Sequence, residues 1–238
     1  MATAARGRLA RTLRGDAQTA FSVELTARTD DLSLEVEGFG PVKLPVTPAK
    51  ARKLLGLGQP ARFGRGEETL TDPDVRDTWE IPKHLVHAEW DGATLTDVLA
   101  TVKEELGLPN GAGLTADLHS LLVYEPNQFF LAHQDSEKDD SMVGTLVVTL
   151  PSSYTGGELM VGHNEEWKAY RGSKTALSLV AFYADCPVLR RTRDRSAEPA
   201  RLPPRPRVHA PRADLAAVEG RGRAPGEPAA DRCRPSRL

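Results

Sequence analysis

The chain has 238 residues, 39% of them hydrophobic and 27% charged, with a mean hydropathy of -0.40 and a formal charge of -2. That allows one substantial domain with appendages or two small ones, and a core of roughly 150 residues would bury about 70% of its unfolded surface without staples. No apolar run approaches the roughly 18 residues of a membrane span, no apolar leader core follows the N-terminus, and the two cysteines are too few for a disulfide framework. A reducing, cytoplasmic setting is therefore the expectation.

The net charge conceals an asymmetry. From Pro187 to Leu238 there are 13 Arg, no Lys and 6 acidic residues, a net +7, which leaves -9 on the other 186 residues. The same stretch holds nine of the 18 Pro and no aromatic residue.

In chain order, residues 1–20 are Ala/Arg-rich and read as a flexible arm. Residues 21–112 read as an N-terminal α/β region. Phe21, Val23 and Leu25 alternate as a strand does, and so do Leu32, Leu34 and Val36 after the Asp30-Asp31 turn. Thr47-Pro48 is an N-cap with Pro at the first helical position, opening a helix through Leu55 that Gly56 stops. Gly64 to Pro82 is rich in Gly, Asp and Pro and reads as a loop, with Trp79 and Ile81 as apolar anchors. Leu95, Val98, Leu99, Val102 and Leu106 then lie on one helical face, ended by Gly107.

Residues 113–186 change period. Leu118–Tyr124, Gly144–Leu150, Glu158–Val161 and Ala176–Tyr183 read as strands, separated by turn chemistry such as Pro126-Asn127 and Thr155-Gly156-Gly157. Short strands at this spacing without intervening helices imply an antiparallel sandwich or jelly roll. Residues 187–238 read as a disordered basic tail, and its Arg, interleaved with Pro and Ala without Lys or aromatics, argues against a nucleic-acid arm.

The chemistry concentrates in Tyr124-Glu-Pro-Asn-Gln-Phe-Phe-Leu-Ala-His133-Gln-Asp135. On an extended segment His133 and Asp135 share a face, about 6.5–7 Å apart along the strand. With one more histidine such a pair makes the facial triad of non-haem Fe(II) oxygenases, which leaves positions open for co-substrate and O2. Taken alone, the pair is a weak signal and reads as a solvated loop, since Glu137 to Asp140 beyond it is charged.

The run LLVYEPNQFFLAHQDSEKDDSMVGTLVVTLPSSYTGGELMV, followed by YRGSKTALSLVAFYADC, resembles the prolyl 4-hydroxylase-like branch of the 2-oxoglutarate/Fe(II)-dependent dioxygenases. The resemblance implies a mainly β double-stranded β-helix (jelly roll). It also implies hydroxylation of a C–H bond, Fe(II), 2-oxoglutarate as co-substrate with ascorbate as accessory reductant, O2, and a peptide or small-molecule substrate. It makes His133 and Asp135 iron ligands and Tyr124 a donor to 2-oxoglutarate. Phe130 stands where many members carry a second tyrosine, and Gly156-Gly157-Glu158 matches a turn between jelly-roll strands.

The pattern breaks after Cys186. Relatives continue into a His-Glu pair, the third ligand, and a Gly-x-Arg whose cation pairs with 2-oxoglutarate. Here the chain runs PVLRRTRDRSAEPARLPPRPRVHAPRAD, so only a partial jelly roll is expected, a dioxygenase by resemblance whose activity is in question because the third ligand is missing from its usual place. His209 is the one histidine downstream. His84, His87 and His119 precede the motif, and His163 lies by a turn. An Arg/Pro/Ala block beginning inside a motif is also the composition that a shifted reading frame in GC-rich DNA produces. The alternatives are a catalytically dead jelly-roll remnant or binding module, and a zinc-type hydrolase that lacks a nearby third ligand.

Overall fold

The computed structural model describes residues 20–65, 68–109, 111, 113–133, 142–154, 156–190 and 212–223, with 63–65, 68–70 and 212–223 described as backbone. Its strands are β1 (Ser22–Ala27), β2 (Leu32–Val36), β3 (Gly40–Pro41), β4 (Gln59–Pro60), β5 (Phe63–Arg65), β6 (Glu68–Leu70), β7 (Arg76–Asp77), β8 (Trp79–Pro82) and β9 (Val86–Trp90). There follow β10 (Gly113–Tyr124), β11 (Phe129–His133), β12 (Met142–Thr149), β13 (Leu159–His163), β14 (Glu166–Tyr170), β15 (Leu177–Tyr183), β16 (Val188–Arg190) and β17 (Arg212–Arg223). The helices are α1 (Pro48–Leu55) and α2 (Thr94–Glu105).

A large sheet runs β1-β15-β12-β17-β10-β8-β4 and a smaller one β14-β13-β16-β11-β7, all antiparallel. Along the chain from β10, the strands fall in the large, small, large, small, small, large, small and large sheet. Eight strands shared out this way between two facing sheets make a jelly roll.

The strong apolar runs have a physical cause. Leu121, Val123, Leu146, Val148, Leu179 and Ala181 face outward, under α1, α2 and the β3-β2-β9 sheet. Val147, Val180 and Phe182 face inward and meet Leu159, Val161 and Val188 of the small sheet. A strand buried on both faces cannot alternate apolar with polar. Helix α1 opens as its sequence implies, with the Thr47 side chain accepting from the Lys50 amide at 3.4 Å. Helix α2 buries Val98 and Val102, and Gly107 leaves it at φ 70°, the left-handed region that suits glycine.

The structure differs from expectation in two segments. The stretch expected as a loop from Gly64 to Pro82 carries short strands, two of which, β7 and β8, extend the small and the large sheet. The roll is also fuller than the partial one expected. In the stretch expected as a disordered tail, β16 fills the slot between β11 and β13, and β17 the slot between β10 and β12. A slot between two strands offers backbone partners on both sides, which any non-proline sequence can take up. Residues 191–211 and 224–238 lie outside the described residues.

Candidate functional site

The β10–β11 turn delivers the His133 strand. Gln128 closes it twice: its side-chain Oε1 accepts from the Glu125 amide at 2.7 Å, and its own amide donates to the Glu125 carbonyl at 3.1 Å. Asn127 sits at φ 69°, which asparagine tolerates better than most residues. Two outside contacts hold the turn. Gln128 Nε2 donates to Asp77 at 2.9 Å, and the Trp79 indole N–H donates to Glu125 at 3.2 Å.

β11 then pairs with β16 through Phe130 opposite Arg190 and His133 opposite Val188. The partners are three residues apart on β11 but two apart on β16, so β11 carries one extra residue. Such a bulge re-aims the side chains that follow it. Directly opposed residues share a face of the sheet, and so do residues i and i+2. Phe130, His133, Val188 and Arg190 therefore stand on one face, and Val188, packed with Val147 and Phe182 of the other sheet, marks it as the inner one. The His133 ring stacks on Phe130 with centroids 3.4 Å apart.

His133 Nδ1 lies 2.9 Å from the Leu131 carbonyl. A carbonyl only accepts, so Nδ1 carries the proton and Nε2 is the nitrogen suited to ligation. Tyr124 ends β10 in a small inner cluster with Leu122 and Ala61. The Arg190 guanidinium carbon lies 5.3 Å from the centre of its ring. Arg190 is only 7% exposed and donates to the Gly157 carbonyl at 3.1 Å. On the opposite flank the Arg76 guanidinium sits 4.3 Å over the Phe130 ring and donates to the Arg62 carbonyl.

Of the residues singled out in the sequence, the structure brings Tyr124, Phe130 and His133 into one neighbourhood, linked through Arg190. Asp135 and His209 lie outside the described residues. His84, His87 and His119 are exposed, and His163 stacks on Phe21 at 5.5 Å. Gly156 and Gly157 precede β13 at φ 76° and 70°, the left-handed region that suits glycine. Sequence reasoning missed Val188 and Arg190 as parts of this neighbourhood, because a three-residue strand inside an Arg/Pro block has no period to detect. Two residues upstream of Val188, Cys186 is buried. Burial, with Asp185 beside it, pushes its thiol up to about 11, so it is a packing group and not a nucleophile.

Whether these residues fit an iron ion is a question of donors. Among the described residues no three His, Cys, Asp or Glu side chains gather. Opposite His133 stands the isopropyl group of Val188, and the next inward residue on β16 is a guanidinium, which donates but cannot coordinate. The described set does not make a facial triad.

The fold and site define an antiparallel jelly roll with a His–Phe–Arg–Tyr cluster on its inner face. No family model matches the chain, and no curated protein matches it. Among solved structures it is similar to a prolyl-4-hydroxylase from Pseudomonas putida, at 17% identity and a TM-score of 0.47 over 87% of this chain and 96% of that one. It is also similar to a 2OG-Fe(II) oxygenase family oxidoreductase from Burkholderia pseudomallei (11%, 0.42, 85% and 87%). A third likeness is to a prolyl hydroxylase from Trichoplax adhaerens, solved with a hypoxia inducible factor peptide fragment (13%, 0.41, 80% and 84%). The fold assignment rests on the strand order and pairing given above.

Proposed function

We propose that this chain is a prolyl 4-hydroxylase-like, 2-oxoglutarate/Fe(II) dioxygenase-type jelly roll whose metal centre is incomplete. It acts as a binding module for a peptide or small molecule and not as a hydroxylase. The resemblance of the segment around His133 and Asp135 supports the first half of the reading. The observation that carries the second half is that, among the described residues, the one opposed to His133 across the strand pair is the apolar Val188, which offers no donor. Asp135 would supply the second ligand, and two protein ligands hold Fe(II) weakly. Tyr124 and the buried Arg190 add a hydroxyl and a cation suited to an anionic group to the same neighbourhood.

The test is turnover. Protein purified without oxygen and given Fe(II), ascorbate, 2-oxoglutarate and air should release no succinate above the buffer control, with or without candidate peptides. Succinate release at many turnovers per chain, abolished in His133→Ala, would overturn the reading.

A further inference from the structure

We infer that the free edge of β1, with the groove beside it, is a docking surface for an extended basic segment of a partner protein. The surface lies outside the roll and is independent of the function proposed above. Strand order is the first support. β1 ends the large sheet: β15 pairs with one of its edges, and among the described residues no strand pairs with the other. Alternate residues of a strand aim their N–H and C=O groups at each edge, and such a row is a template for one more strand. Burial is the second support. Ser22 and Val23 are buried, and Ser22 is tied to Tyr170 of the small sheet, but Glu24 and Thr26 are exposed and Leu25 and Ala27 half-buried. The open part of the edge is therefore Glu24–Ala27. A cavity of about 610 Å³ opens against it, walled by residues 25–31 and by Thr94, Asp97, Val98 and Thr101 of α2.

Charge names the occupant. Asp30, Asp31 and Asp97 line the groove against a single Arg28, a net -2. Arg28 is already engaged: its guanidinium meets Asp30 at 3.4 Å and its amide donates to Asp31 at 2.9 Å. Glu24 adds a further carboxylate on the strand itself. A second copy of β1 would bring the same carboxylates, and like charges oppose that pairing. A strand with Arg or Lys at alternate positions meets both the backbone row and the acidic wall.

The probe is a fluorescent peptide of alternating Arg and Thr, about ten residues long, titrated into the full chain at low salt while its anisotropy is followed. It should bind, and a peptide with Glu in place of Arg should not. Two further versions carry N-methyl groups on one or the other set of alternate amides. Only one set faces the β1 edge, so one version should bind like the parent and the other should lose at least about tenfold, roughly the worth of one or two hydrogen bonds. Asp30→Asn and Asp97→Asn, both at exposed positions, should each weaken the parent peptide about 2–5-fold. High salt should weaken it too. Asp74→Asn, an exposed acid beside β7, should change nothing.

Absence of binding at about 1 mM peptide would overturn the inference, and so would equal binding of the Arg and Glu peptides. Equal behaviour of the two methylated versions would overturn strand pairing and the inference with it. If binding appears only after Arg6, Arg8, Arg11 and Arg14 are changed to Gln, the chain's own residues 1–19 take the edge, and the partner is overturned.

Discussion

Raising the pH should reveal Cys186 as a group that the fold holds protonated. This residue closes β15 onto β16: its amide donates to the Tyr183 carbonyl at 3.0 Å, and its thiol lies among Phe21, Val161 and Phe182. Burial first, and the charge of Asp185 second, move the thiol from about 9 to about 11. Above the ordinary thiol range the unfolded chain has lost a proton that the folded chain keeps. The folded state then binds more protons, so stability falls as pH rises. The loss starts near pH 9 and is complete near pH 11, where the folded thiol ionises too. At about 1.4 kcal/mol per unit of pKa difference, it amounts to about 2–3 kcal/mol. Tyr170 and Tyr183, whose hydroxyls burial raises first and the charge of Cys186 raises last, titrate in both the wild type and Cys186→Ala. The quantity to read is therefore the difference between their urea unfolding curves at pH 7 and pH 10.5. That difference should shrink by most of this amount. In a Cys233→Ser background a disulfide reagent at pH 8 should label native protein only after urea is added. An unchanged difference across the window, or rapid labelling of the native state, would refute the reasoning.

Other outcomes follow from the same packing. Tyr170→Phe removes the hydroxyl that meets Ser22 Oγ at 2.6 Å in the interior, and should cost about 1–3 kcal/mol in urea unfolding, part of it recovered in Tyr170→Phe/Ser22→Ala. Leu179→Ala empties a fully buried site between the large sheet and its covering helices and should cost about 2–5 kcal/mol, whereas Leu131→Ala, at a position 42% exposed, should change stability by less than about 0.5 kcal/mol. At the gene, one of the two shifted frames just after codon 186 should restore a His-Glu pair within about ten codons and then a Gly-x-Arg. If neither frame does so, the Arg/Pro block is a divergence in its own right and Val188 a native feature of this chain.

The fold was legible where burial writes long patterns. β10, β12 and β15 announced themselves as apolar runs bounded by Gly, Pro and Asn. Helices α1 and α2 announced themselves by a Thr-Pro cap and a five-residue apolar face. What stayed hidden was short or depended on partners. β7 and β16 span two and three residues, too few for any period. β17 pairs with β10 and β12 although its Arg, Gly and Ala have little strand propensity; a double-sided backbone ladder sets its place.

The candidate site divides the same way. His133 and Tyr124 were singled out because one segment resembles a known motif, and the structure sets His133 on Phe130 and Tyr124 beside Arg190. The Phe130 ring under His133 follows from a bulge that no local pattern announces. Val188 and Arg190 join the site only through cross-strand register, which depends on how β16 seats between β11 and β13. The break in the motif after Cys186 was visible in the sequence, but the residue standing in the gap was not.

The account turns on a metal centre with too few donors, and a single titration addresses it. Wild-type protein, prepared without oxygen and free of metal, is titrated with Mn(II) while the free-ion paramagnetic signal is followed. Half-saturation should fall no tighter than about 100 µM, or less than roughly 5.5 kcal/mol of binding free energy, and what binding there is should disappear in His133→Ala and Asp135→Ala. Stoichiometric binding at low micromolar Mn(II) would mean that a third donor reaches His133 in this chain, and would contradict the account.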